Sequence, residues 1–202
     1  LAWFIALGTL PAALAGLLLE RQIEALGNIV IAASLVGLGL VLLVAERFAR
    51  HERRVEDVRW LDALLVGVGQ AVALVPGSSR SGTTITAGML LGFTREAAAR
   101  FSFLLSVPII LGAGAYKLWK TVPLLRGAPD WALATAVGTA VAAVAGYLVI
   151  EWLLGWLRTR TTYLFVAWRI AAGVVVAALV WNGVLPAGHA LPAPPPAEAR
   201  AP

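Results

Sequence analysis

Long apolar runs separated by short polar or proline-bearing stretches dominate the chain and read as five or six membrane spans. The first is Leu1 to Leu19; it holds Pro11, which in a membrane kinks a helix without having to end it. The second runs from about Ile29 to Ala45, and the third from about Leu61 to Val75, where Pro76 stops it. A fourth covers about Phe101 to Trp119 with Pro108 inside, a fifth Trp131 to Leu154, and a last about Tyr163 to Leu185. These lengths suit a hydrocarbon core that takes roughly 20 helical residues to cross. The apolar stretch Ile85 to Phe93 is too short for that and reads as a re-entrant half-helix, tolerated only where protein or a water-filled cavity surrounds it. Trp60, Trp119, Trp131, Trp152, Trp156 and Trp181 sit near span ends, as interfacial belts do. Ala134, Gly138, Ala142 and Gly146 form a small-residue stripe whose expected role is close packing of helices.

Composition points the same way. Of 202 residues, 60% are hydrophobic and only 13% charged, about half the charge fraction of a soluble domain. The expected fold is therefore an all-α polytopic membrane protein of about six transmembrane helices plus a re-entrant half-helix. A membrane-embedded domain over 1–185 precedes a Pro/Ala-rich tail over 186–202 that is expected to be disordered. The chain begins at Leu1, inside an apolar run and without the basic region and cleavage pattern of a signal peptide, so residues are expected to precede it. Cysteine is absent, which excludes disulfides, thiolate catalysis and cysteine-held metals. The only histidines, His51 and His189, have no histidine near them.

The formal charge of +5 suggests loop arginines of a membrane protein, not nucleic-acid binding. Arg47, Arg50, Arg53, Arg54 and Arg59 mark the loop between the second and third spans as cytoplasmic. With Ile85–Phe93 re-entrant, Lys117, Lys120 and Arg126 are expected on that same side, and Arg21, Arg158 and Arg160 opposite. The segment after Pro76 then lies at the outer face.

That segment, Pro76-Gly77-Ser78-Ser79-Arg80-Ser81-Gly82-Thr83-Thr84, carries the chemistry. Pro76 ends a helix, and Gly77 and Gly82 permit backbone angles that other residues resist. Arg80 offers a planar fork of donors matched to phosphate oxygens. The hydroxyls, the N–H groups of a tight turn and the half-helix N-terminus add further attraction for an anion. The nonapeptide is neither a Walker A loop nor a Gly-x-Ser-x-Gly elbow. Gly67-Val68-Gly69 lacks the third glycine and the strand of a dinucleotide fingerprint. Glu96 can pair with Arg100 one helical turn on, or orient Arg80 or a substrate. Arg169 lies inside the last span, where it either snorkels to the interface or serves a substrate or structural role. Glu20 and Glu24 read as interfacial.

The run from Gly69-Gln70-Ala71 through Leu74-Val75-Pro76-Gly77-Ser78-Ser79-Arg80-Ser81-Gly82 resembles a signature of the undecaprenyl-diphosphatase family. The stretch Leu91 to Leu105 with Pro108, the early Gly8-Thr9-Leu10-Pro11-Ala12 and the region around Arg169 are similar to that family too. The resemblance implies a bacterial inner-membrane enzyme that hydrolyses undecaprenyl diphosphate to the monophosphate, recycling the lipid carrier of cell-wall synthesis. Bacitracin sequesters the same diphosphate, so resistance to it is implied as well. The family fold is expected to pair two inverted repeats, each with a re-entrant segment, and its members use a divalent cation, magnesium or calcium. By position, Arg80, Ser79 and Thr84 match the catalytic, phosphate-handling residues. Gly77, Ser78, Ser81, Gly82, Gln70 and Glu96 are the expected substrate-binding set. The partners implied are the polyprenyl diphosphate and the membrane; a homo-oligomer is admissible. The family's other signature, paired glutamates followed by a serine-rich turn and a histidine, has no counterpart in these residues. The metal ligands are thus expected upstream of Leu1, with none in this chain. A polyprenyl-phosphate transporter or flippase would use the same anion clamp, and an inactive truncated relative would retain it.

Overall fold

The computed structural model describes residues 1–126 and 129–188, without the side chains of 20, 21, 24, 123–126, 129 and 130. Seven α-helices are described: α1 (Ala2–Glu24), α2 (Asn28–Phe48), α3 (Trp60–Val72), α4 (Arg80–Leu90), α5 (Arg95–Arg126), α6 (Pro129–Thr159) and α7 (Tyr163–Trp181). Of these, α1, α2, α5, α6 and α7 are long and apolar enough to cross a membrane, which makes the protein an all-α polytopic membrane protein. Pro11 lies inside α1 without ending it. The expected tail lies almost wholly outside the described residues, as do His189 and the side chains of Glu20 and Glu24.

The third apolar run departs from expectation. Its helix, α3, has 13 residues, about 20 Å at 1.5 Å per residue, well short of a core about 30 Å thick. It does not cross. The N–H groups of Glu52 and Arg53 each donate to Gly92 O at 2.9 Å, and Thr94 N–H donates to Arg53 O at 2.8 Å. The loop that precedes α3 is thereby tied to the loop after α4. Together α3 and α4 form a re-entrant hairpin that enters and leaves on one face, with residues 73–79 as its tip, where Ser78 is buried and Ser79 exposed. Hydropathy could not show this, because an apolar half-span and a short full span read alike when a proline ends both.

The hairpin also changes the sidedness of the later helices. From the arginine loop's own face, α5 runs to the opposite face, where Lys117, Lys120 and Arg126 lie, and α6 returns. There Arg158 Nε donates to Glu96 Oε1 at 3.0 Å, and Thr162 donates its N–H and hydroxyl to Glu46. Arg158 and Arg160 thus join Arg47, Arg50, Arg53, Arg54 and Arg59 on one face, and Lys117, Lys120 and Arg126 stand opposite them. Both placements reverse the sequence expectation and concentrate arginine more strongly on one side.

Packing depends on small residues where backbones meet. A Cβ on Gly67 would meet Gly8 O at 2.2 Å, and one on Gly173 would meet Val36 Cγ2 at 2.7 Å. These glycines set the α1–α3 and α2–α7 contacts, which accounts for Gly67 without any nucleotide motif. The core below the hairpin is Ala63, Val66, Met89, Phe93, Phe101 and Leu105, all at 2% exposure or less. The expected stripe on α6 does not pack inside the chain: a Cβ at Gly138 or Gly146 would meet nothing within 4 Å among the described residues.

Candidate functional site at the tip of the hairpin

The tip is shaped by positive backbone angles. Gly77 has φ +84°, and a Cβ there would meet Ser34 Oγ at 2.5 Å and Ile31 O at 2.7 Å, so only glycine fits. Ser79 takes φ +61° without being glycine, a strained state that persists where the surroundings impose it and that clusters at functional sites. In this conformation Ser79 caps α4, its Oγ accepting from Gly82 N–H at 3.3 Å. Ser34 Oγ on α2 donates to Pro76 O and anchors the turn from the side. Helix α4 starts at Arg80, five residues earlier than the expected half-helix. The N–H groups of Arg80 and Ser81 donate to no carbonyl among the described residues. Two donors with the positive end of a helix behind them make an anion cradle.

Two cavities flank this cradle. One, of about 670 Å³, lies between α1, α3 and α5 and is lined by Gln70, Arg80, Thr9 and Pro108. Gln70 is 1% exposed, and neither its Oε1 nor its Nε2 has a partner among the described residues. The other, of about 220 Å³, lies between α2, α4, α6 and α7. Ser79, Ser81, Gly82 and Arg169 line its polar end, and Leu35, Leu42, Leu153, Phe165 and Trp168 its apolar walls. The expected residues Ser79, Arg80, Ser81, Gly82 and Gln70 are therefore brought to one region.

Arg169 resolves in favour of this region. It does not snorkel: it is 6% exposed, and its Nη2 donates to Ser78 O at 2.7 Å. Its Nε and Nη1 are buried without a partner among the described residues. A Cβ on Gly82 would lie 2.2 Å from Arg169 Nη1, so Gly82 is small in order to admit the guanidinium beside the cradle. An unpaired buried arginine is costly; an anion at the head of α4 would repay that cost.

Three expected residues hold other positions. Thr84 is 0% exposed; its hydroxyl donates to Arg80 O at 2.8 Å and meets Ser102 Oγ. It braces α4 on α5 and does not line either cavity. Ser78 is buried, and it is its backbone carbonyl that engages Arg169. Glu96 is remote from the cradle, at the hairpin's base, where it pairs with Arg100 at 3.1 Å and Arg158 at 3.0 Å. The pairing with Arg100 is as the spacing indicated; the alternative of orienting Arg80 is not observed. Sequence reading missed Ser34 and Ser102, whose one signal was a hydroxyl inside an otherwise apolar span. Among the described residues no group of three or more His, Asp or Glu could hold a metal ion. The described residues therefore offer no magnesium or calcium site of their own.

A polytopic helical bundle with a re-entrant hairpin, whose tip places Arg80, Arg169 and open helix N–H groups side by side, is the class of membrane protein that the fold and the site define. Residues 1–175 match the family described as bacitracin resistance protein BacA, and the chain belongs to that family. It is 79% identical to an undecaprenyl-diphosphatase of Anaeromyxobacter sp. (strain Fw109-5) over 98% of this chain and 66% of that protein. With undecaprenyl-diphosphatases of Myxococcus xanthus and Chlorobium limicola it shares 49% and 42% identity, over 92% and 93% of this chain and 62% and 69% of theirs. The chain thus spans just under two thirds of the length of the first of these relatives.

Proposed function

We propose that this chain contributes the phosphate-holding half of a phosphatase that converts undecaprenyl diphosphate to the monophosphate. The observation that carries the reading is Arg169, a buried guanidinium with two uncommitted nitrogens beside the N-terminus of α4, where Arg80 begins the helix. The names of the relatives supply the substrate. In the reaction, the bond from the terminal phosphorus to the bridging oxygen breaks and a bond to the oxygen of water forms. Inorganic phosphate and the lipid monophosphate leave, with one proton released to solvent. Arg80, Arg169 and the N–H groups of Arg80 and Ser81 would neutralise charge on the transferring phosphoryl. Ser79 serves as a binder: its Oγ accepts from Gly82 N–H, and among the described residues no histidine or carboxylate stands beside it to act as base. The small cavity's apolar walls suit the first units of a polyprenyl tail. A divalent cation belongs to the proposal only as a group held by residues other than those described, and no step above depends on it.

The arginine-rich face is taken as cytoplasmic. The tip then points toward the outer leaflet, where the enzyme would act in the bacterial inner membrane, recycle a cell-wall lipid carrier and confer bacitracin resistance. The test is Arg80→Ala in the complete protein, with phosphate release from undecaprenyl diphosphate as the readout. Loss of one such donor costs roughly 10²–10³-fold in rate. Near-normal turnover would remove Arg80 from the mechanism. A wild-type protein that binds the lipid and releases no phosphate would point instead to carriage of the lipid.

A further inference from the structure

At the base of the hairpin, remote from the cradle, lies a polar cavity of about 450 Å³, with Arg54, Arg95, Arg100 and Arg158 among its lining residues. It adjoins an apolar groove of about 580 Å³ between α5 and α6, and Val55 and Arg100 line both. The groove runs along α5 from Arg100 to Leu111 and is closed on the α6 side by Ile150 and Leu154. Charge in the polar cavity is unbalanced. The Nε atoms of Arg100 and Arg158 converge on the single oxygen Glu96 Oε1, at 3.1 and 3.0 Å, so two cations share one carboxylate. Arg95 is committed to Glu46 through Nε at 3.0 Å. The guanidinium of Arg54 has no acid partner among the described residues. With Glu56 the other acid in the lining, one positive charge is left over. That matches one phosphodiester.

We propose that cavity and groove together form a binding site for an anionic glycerophospholipid. The headgroup phosphate sits between Arg54, Arg100 and Arg158, and an acyl chain lies along the α5–α6 groove. Cationic cavities at a helix-bundle interface gain roughly 1 kcal/mol per arginine from anionic lipid, and the groove supplies apolar contact that a free phosphate could not use. The site is separated from the cradle by the length of α4, whose 11 residues span about 16 Å. It is therefore distinct from the proposed substrate position.

The experiment is native mass spectrometry of the detergent-solubilised protein with phosphatidylglycerol, with phosphatidylcholine of the same chains, and with glycerol 3-phosphate. Phosphatidylglycerol should be retained at least about 30-fold over phosphatidylcholine, with glycerol 3-phosphate giving no adduct at the same concentration. The double substitution Arg54→Gln and Arg158→Gln should lower phosphatidylglycerol retention about 30-fold, since each arginine contributes roughly 1 kcal/mol. Val107→Trp, which fills the groove and leaves the charges in place, should lower it as well. Equal retention of the two lipids, or retention indifferent to both variants, overturns the proposal. Glycerol 3-phosphate binding as well as the lipid overturns the lipid occupant and makes this a site for free phosphate. Should the double variant fail to fold, Val107→Trp and the comparison of the two lipids still decide.

Discussion

The two ends of the α3–α4 hairpin are made from similar residues and handle charge in opposite ways. At the base, Arg53 meets Asp62 through both nitrogens of its fork. Glu46 accepts from Arg95 and from the N–H and hydroxyl of Thr162. At the tip, polar atoms are buried and left open. Of the six buried side-chain donors and acceptors without a partner among the described residues, five belong to Gln70, Ser78 and Arg169, and the sixth is Trp156 Nε1. A fold minimising its own energy would not leave this pattern, because each open buried group costs about 1–3 kcal/mol. The buried carboxylates of the base, Glu46 and Asp62, are closed for stability, and the buried polar groups of the tip are kept open for a ligand.

Glu46→Ala gives the largest expected effect on this comparison. The side chain of Glu46 is 1% exposed and that of Arg95 28%, so the substitution strands a partly buried guanidinium and the Thr162 donors. Breaking such a pair from one side costs about 3–5 kcal/mol. Thermal unfolding in detergent should show that loss, while the complete protein's phosphate release per folded molecule stays close to wild type. If turnover collapsed with stability intact, the division between the two ends would be wrong.

Arg169→Ala tests the other end. Here phosphate release should fall about 10²–10³-fold, with a smaller change in unfolding midpoint than Glu46→Ala produces. The expectation is physical: the substitution removes an unpaired buried charge along with its one hydrogen bond to Ser78 O. A large stability loss with turnover retained would make Arg169 a clamp on the turn and nothing more.

How much of this was legible beforehand depends on the kind of information each feature needs. The apolar runs marked helices α1, α2, α5, α6 and α7, because a span leaves a local record in composition. The nonapeptide marked the cradle for the same reason: proline, glycines, hydroxyls and arginine are contiguous. The features that escaped rest on contacts distant in sequence. The re-entrant character of α3 appears only when Arg53 N–H finds Gly92 O, far along the chain. Arg169 reads the same whether it snorkels or turns inward, and the answer lies in Gly82, on another helix. Glu96 was assigned by its nearness to the motif along the chain, but α4 carries it to the far end of the hairpin. The small-residue stripe on α6 has the right spacing for packing and no partner helix within the described chain to pack on.

Asp62 gives a smaller effect at the base, visible through pH. Burial pushes its carboxyl up, but hydrogen bonds from Arg53 and from Arg59 N–H outweigh burial and hold it below the ordinary aspartate range. A depressed folded value means the contribution is fully present above the unfolded value of about 4 and is lost as pH falls through the lower, folded one. Wild-type protein should therefore lose stability on acidification below about pH 4. Asp62→Asn should start about 1–3 kcal/mol lower at neutral pH and lose less over the same descent. Parallel acid profiles for the two proteins would show that other carboxylates carry the transition.

Ser79 is where the comparison can be drawn most finely, because one residue combines strain with a contact. Its φ of +61° is unfavourable for serine, and its Oγ caps α4 through Gly82 N–H. Ser79→Ala keeps the strain and loses the cap, which costs about 1 kcal/mol. Ser79→Gly loses the cap too, but a glycine at the head of a helix costs only a few tenths of that and accepts the positive angle freely. Glycine should thus be the more stable variant by up to about 1 kcal/mol, less whatever its unfolded state gains in entropy. Activity separates the two chemical roles. A binder that contributes one hydrogen bond gives both variants a loss of roughly tenfold, worth about 1.4 kcal/mol. A nucleophile would leave both at background, and a phosphoserine on the wild-type protein, formed as the lipid monophosphate leaves, would identify it.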